Sequence, residues 1–73
     1  MTRDDFDTAP MQQRGEFLSW CQERGVDPTR LARDGEVASV EALAVSLRFE
    51  DGSVENFSVS SLDEIPRVVR GRY

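Results

Sequence analysis

Between Leu43 and Val59 the chain commits to β-structure. Leu43, Val45, Leu47 and Phe49 alternate with Ala44, Ser46 and Arg48, the period of a strand buried on one face. Glu50, Asp51 and Gly52 interrupt that alternation with turn chemistry, and Val54 to Val59 resumes it with Phe57 and Val59. The segment reads as a β-hairpin, and its register follows from which face each loop length buries. A two-residue Asp51–Gly52 loop sets Arg48 across from Glu55 but puts Phe57 on the face opposite Val45 and Leu47. A three-residue loop, with Gly52 left-handed in a bulge, pairs Phe49 with Ser53, Leu47 with Glu55, Val45 with Phe57 and Leu43 with Val59. That keeps every large apolar group except Val54 on one side. A surface ion pair is worth about 0–1 kcal/mol, whereas burying Phe57 is worth about 1.5–3 kcal/mol. Burial decides for the bulged loop.

At 73 residues the chain forms one small domain, residues 1–73, near the lower size at which one core suffices. Met1 to Asp7 is polar and acidic, unlike a signal peptide, and is expected to fray, with Phe6 stapling back onto the first helix. Thr8 is the expected cap of that helix, with Pro10 in its first turn, and Met11 to Arg24 its body. Phe17, Leu18 and Cys21 form its apolar stripe, widened by Met11 and Trp20, and Gly25 stops it. Asp27 and Pro28 open a short second helix, with Leu31 facing inward and Gly35 ending it. From Glu36 to Ala42 the spacing of Val37, Val40, Leu43, Ala44 and Leu47 also fits a helix; the strand is expected to begin near Val40. Ser61 and Glu64 have capping-box spacing, so a last helical segment starts near Leu62, and Pro66 breaks or restarts it. Residues 71–73 are expected to fray. The expected class is α+β (ααββα): an N-terminal helix and a short second helix packed on one face of an antiparallel hairpin, then a short C-terminal helical segment.

The chain carries a net charge of −5, and its nine basic residues are all Arg. An Arg-only set fits a GC-rich coding genome, bacterial or phage. From Asp34 to Glu64 there are eight acids against Arg48 alone, a net of −7, so this half repels nucleic acid. With no apolar run of membrane-spanning length and a single cysteine, the expected setting is soluble, reducing and cytoplasmic.

There is no His, which removes the commonest general base, His-based triads and most zinc sites. Cys21 lies on the apolar face of the first helix, where burial suppresses a thiolate. The Glu50, Asp51 and Glu55 group lacks the spacing of a calcium loop, and no glycine-rich phosphate loop is present. The chain reads as a non-enzyme with no cofactor and no metal. Its hairpin edges, which two strands cannot satisfy by themselves, point to pairing with a second copy or with a partner strand. The leading expectation is an adaptor or inhibitor that docks on a larger protein, in a special case as a nucleic-acid mimic of the anti-CRISPR or anti-restriction kind. The candidate partner-binding residues are Glu41, Arg48, Glu50, Asp51, Glu55, Asp63 and Glu64. The alternatives are a structural subunit of a phage or bacterial assembly, and a weak nucleic-acid binder through Arg30 and Arg33 or through Arg67, Arg70 and Arg72.

Overall fold

The computed structural model describes residues 1–71. It is α+β, with helices on one face of an antiparallel sheet, and the sheet has three strands rather than the two of the hairpin. The elements are α1 (Arg3–Thr8), α2 (Met11–Glu23), β1 (Ala38–Glu41), β2 (Ala44–Arg48), β3 (Val54–Ser58) and α3 (Arg67–Arg70), with single 3₁₀ turns at Pro28–Arg30 and Leu62–Glu64. Strand order is β1-β2-β3, so β2 is central and the other two are edges.

The first residues, expected to fray, are placed in a capped helix. Thr2 Oγ1 accepts from the Asp5 N–H (3.1 Å) and Asp5 Oδ2 accepts from the Thr2 N–H (3.0 Å), a reciprocal capping box that starts α1. Phe6 then sets its ring edge-on to Phe17, with centroids 5.7 Å apart. Thr8 does not cap α2; it closes α1, and its hydroxyl donates to the Asp4 carbonyl at 2.8 Å. Pro10 is the residue before α2, whose buried positions are Phe17, Trp20 and Cys21. This i, i+3, i+4 stripe leaves Met11 and Leu18 exposed, so the buried face is narrower than the sequence suggested.

Asp27 caps the Pro28–Arg30 turn by accepting from the Thr29 N–H (3.0 Å), and the short second helix is a single 3₁₀ turn. The chain after it lies beside the end of β2: the Ala32 N–H donates to the Arg48 carbonyl at 2.8 Å, and the Glu50 N–H to the Arg30 carbonyl at 2.9 Å. Residues 36–42 become a separate strand. β1 pairs with β2 as Ala38 with Leu47, Ser39 with Ser46, Val40 with Val45 and Glu41 with Ala44. Ala42 and Leu43 form the two-residue connection, both left-handed (φ 51° and 60°).

The second hairpin has the register argued from burial. Val45 pairs with Phe57 and Leu47 with Glu55, Phe49 N–H donates to the Ser53 carbonyl (2.9 Å), and Gly52 is left-handed at φ 87°. Leu43 sits in the turn, though the Val59 N–H still donates to its carbonyl at 2.9 Å. Beyond β3, Glu64 accepts from the backbone N–H groups of Ser60 and Ser61, and Pro66 restarts the chain as α3. Of the tail expected to fray, Gly71 closes α3 and residues 72–73 lie outside the described residues.

The core lies between the two layers. Val45 and Leu47 from β2 and Phe49 just after it meet Phe17, Trp20 and Cys21 from α2, with Val37, Ala38, Ile65 and Val69 closing the sides. Arg67 on α3 reaches Glu16 on α2 with two guanidinium nitrogens (2.9 and 3.4 Å), tying the C-terminal turn to the helix layer. The other sheet face, carrying Ser39, Ser46, Arg48, Val54 and Asn56, has no helix over it.

Candidate interaction surface

Antiparallel pairing makes successive residues of an edge strand point their backbone groups alternately inward and outward. In β3 the bonds between Phe49 and Ser53 and between Val59 and Leu43 fix that parity. Ser53, Glu55, Phe57 and Val59 therefore turn their N–H and C=O groups toward β2, and Val54, Asn56 and Ser58 turn theirs outward. No backbone bond from another described element reaches these three.

The opposite edge is closed where it matters. The Arg48 N–H donates to the Val37 carbonyl (3.1 Å), which sets that carbonyl, Ser39 and Glu41 inward and Ala38 and Val40 outward. The Met1 carbonyl accepts from the N–H groups of Val37 (2.9 Å) and Ala38 (3.2 Å), and the Met1 amino group donates back to the Ala38 carbonyl. Along β1 only Val40 keeps an outward pair. Of the two edges, β3 is the long open one.

The side chains around that edge are uncharged apart from Glu55. Val54 is 54% exposed on the uncovered face. Asn56 Oδ1 accepts from Ser46 Oγ at 2.5 Å, which leaves its amide N–H groups free to donate. On the helix side Phe57 stands edge-on to Trp20 at 5.5 Å. Trp20 itself is buried, with the Arg24 guanidinium 4.1 Å from its ring centre, so it belongs to the core and is not a surface anchor.

The seven residues singled out from the sequence do not converge on one patch. Glu41 pairs with Ala44 at one end of the sheet, and Glu50 and Asp51 lie beyond its other end, roughly 20 Å away at about 3.4 Å per residue. Glu50 is 3.3 Å from Arg33 and Asp51 is 3.8 Å from Arg30, so the turn's acids stand beside arginines. Asp51 also accepts from the Ser53 hydroxyl and N–H, which holds its carboxyl below the usual range. Asp63 lies 3.8 Å from Arg70, and Glu64 serves as a backbone cap. Arg48 is not across from Glu55: its guanidinium donates to the carbonyls of Asp34 and Glu36 and clamps the loop before β1. Gly35 lies under that clamp, where a Cβ would come within 2.9 Å of the guanidinium. Glu55 alone of the seven is on β3, exposed and facing the helix side.

Two of the hollows in the described surface flank α2. A groove of about 550 Å³ between α2 and residues 63–70 is lined by Trp20, Glu23 and Asp63 and by the Glu16–Arg67 pair. Glu16 and Asp63 are paired with Arg67 and Arg70, Glu64 holds backbone, and Glu23 lies 3.5 Å from Arg24 outside the groove. A smaller apolar hollow of about 220 Å³ lies under α1, between Phe6, Leu18 and Leu31. Its one ionisable side chain, Arg3, donates to the Leu31 carbonyl at 3.3 Å. The Cys21 thiol is buried, which pushes it up to about 11 despite the pull of Arg24. No group of three or more His, Cys, Asp or Glu is placed to hold a metal ion among the described residues, and none of their helices is long and apolar enough to cross a membrane.

What these features define is a two-layer α+β domain with one unpaired sheet edge. Comparison with family models, with curated proteins and with solved structures finds no match.

Proposed function

We propose that this chain is a non-catalytic interaction module that docks on a larger protein by strand addition at β3. The observation that carries this reading is the asymmetry of the edges: Met1 pairs with β1, whereas Val54, Asn56 and Ser58 present a run of unpaired backbone donors and acceptors. Strand addition draws affinity from main-chain bonds and specificity from the alternate side chains, here Val54 and Asn56 on one face and Phe57 on the other. The chemistry within reach supports binding over turnover: the one thiol is buried in protonated form, and the Thr29 and Ser53 hydroxyls donate to Asp27 and Asp51, carboxylates that also hold backbone N–H groups of their turns. The nucleic-acid-mimic variant has less behind it. Its acids lie at opposite ends of the sheet, and several sit against arginines or backbone.

The test is affinity capture from the source cells with three baits: the natural chain, N56P, and a triple reversal of Glu50, Asp51 and Glu55 to Arg. The Asn56 N–H points outward, so proline there removes no backbone bond to β2 and only the exposed side-chain bond to Ser46, and edge strands tolerate it. A partner lost with N56P and kept by the charge reversal is the expected result. A partner that N56P retains and the reversal loses would move the contact to the acidic turn and refute the edge.

A further inference from the structure

We infer that the first occupant of the β3 edge is a second copy of this chain, paired antiparallel about a two-fold axis at Asn56 to make a continuous six-stranded sheet. The inference rests on the reading of β3 as the docking edge and names what fills it. Antiparallel self-pairing requires the outward residues of one copy to face outward residues of the other. Centring on Asn56 meets that for all three: Asn56 faces Asn56 of the second copy, and Val54 faces its Ser58 in both directions. Each such pair exchanges two main-chain bonds, and no outward group of Val54, Asn56 or Ser58 is left over.

The neighbouring registers are worse for reasons on the same strand. A shift centred on Glu55 sets two carboxylates directly opposite, which is destabilising in a cross-strand pair. A shift centred on Phe57 needs the Ser60 N–H to complete its ladder, and that group already donates to Glu64. In the Asn56-centred register Glu55 lies opposite Phe57 of the second copy, so like charges are not opposed. On the uncovered face the amide N–H of Asn56 in one copy can donate to the Asn56 Oδ1 of the other, whose second lone pair remains open beside the Ser46 hydroxyl. A two-fold axis normal to the sheet keeps both helix layers on one face. Glu55 is the one charged residue of the strand and faces the helix side; between Val54 and Ser58 there is no proline, no basic residue and no bulge to blunt the edge.

The dimer is weak. A five-residue edge buries less than the roughly 800 Å² per partner of a standard interface, and each copy brings a net charge of −5. A weak dimer shields the open edge from aggregation and yields it to a tighter partner.

Light scattering from micromolar to millimolar concentration, with amide exchange at both ends of the range, tests this. The mass should rise from 8.3 kDa toward twice that value, more readily in high salt, where repulsion is screened. The Val54, Asn56 and Ser58 amides should gain protection only at the concentrated end, whereas Glu55 and Phe57 are protected throughout. V54P and N56P, each with an outward N–H removed, should stay at 8.3 kDa with an unchanged circular dichroism spectrum. If either variant unfolds, the alternating exchange pattern of the natural chain decides. A chain that remains at 8.3 kDa at millimolar concentration, or a dimer whose Val54, Asn56 and Ser58 amides stay unprotected, overturns the second copy. Failure here with capture still lost in N56P leaves the docking edge standing with another occupant; capture retained by N56P refutes the edge itself.

Discussion

The connection between β1 and β2 offers the sharpest check on the third strand. Ala42 and Leu43 both hold positive φ, 51° and 60°, in a two-residue turn whose usual occupants are Asn and Gly. An ordinary L-residue there costs about 1–2 kcal/mol relative to the right-handed region, and Asn recovers part of that because its short polar side chain tolerates the conformation. Ala42 is exposed, so replacing it gives up no packing. A42N should therefore stabilise the fold by about 0.5–1 kcal/mol. In a domain of this length that corresponds to roughly 2–8 °C in Tm by thermal circular dichroism. A42P, which fixes φ near −65°, should destabilise by more than about 1 kcal/mol. If A42N melts at or below the natural chain and A42P is tolerated, the turn is not left-handed and β1 does not pair with β2 as described.

Gly15 lies in the middle of α2 with nothing within 4 Å of where a Cβ would stand, so G15A should raise stability by about 1 kcal/mol in urea unfolding. The carboxyls of Asp5, Glu16, Asp27 and Asp51 are held below their ordinary values by bonds to Thr2, Arg67, Thr29 and Ser53 respectively. Their folded pKa values lie below the unfolded ones, so their contribution is complete only above the unfolded values, from about pH 5, and is lost as pH falls through the folded values. Urea midpoints taken across that range should fall toward acid, and a flat profile would contradict those bonds. The buried Cys21 thiol, pushed up to about 11, should resist an aromatic disulfide reagent at neutral pH and react fully once unfolded; fast labelling of the native chain would place it at the surface.

The β2–β3 register could be read from the sequence because one large residue, Phe57, changed face between the two candidate loops, and its burial outweighs any surface ion pair. The β1–β2 hairpin could not. Val37, Val40, Leu43, Ala44 and Leu47 satisfy a helical spacing as well as a strand one, and Ala42–Leu43 carries none of the residues that mark a tight turn. The structure resolves that ambiguity through long-range contacts, with Met1 lying along the start of β1 and Arg48 clamping residues 34–36. The N-terminal helix is a different case. The Thr2 and Asp5 capping box was present in the sequence and outweighs the polar composition of the segment. The acids at the turn met their arginines only because the Leu31–Phe49 bridge brings residues 30–33 beside the hairpin tip, a pairing that spacing along the chain does not encode.

The third strand also changes what an edge means for this chain. In a lone hairpin both strands would be open, and neither charge nor composition would choose between them. Adding β1 makes β2 interior, and Met1 then occupies the outward groups of Ala38, which leaves β3 as the only strand with a continuous open ladder among the described residues. That strand holds one of the chain's acids, Glu55, whose side chain points to the helix side and not along the ladder. Charge on this protein therefore governs how strongly copies repel at a distance, while the parity of β3 governs where anything attaches. A surface reading based on the acidic run alone would direct mutagenesis to Glu50 and Asp51, which stand beside Arg33 and Arg30; the backbone directs it to Val54, Asn56 and Ser58.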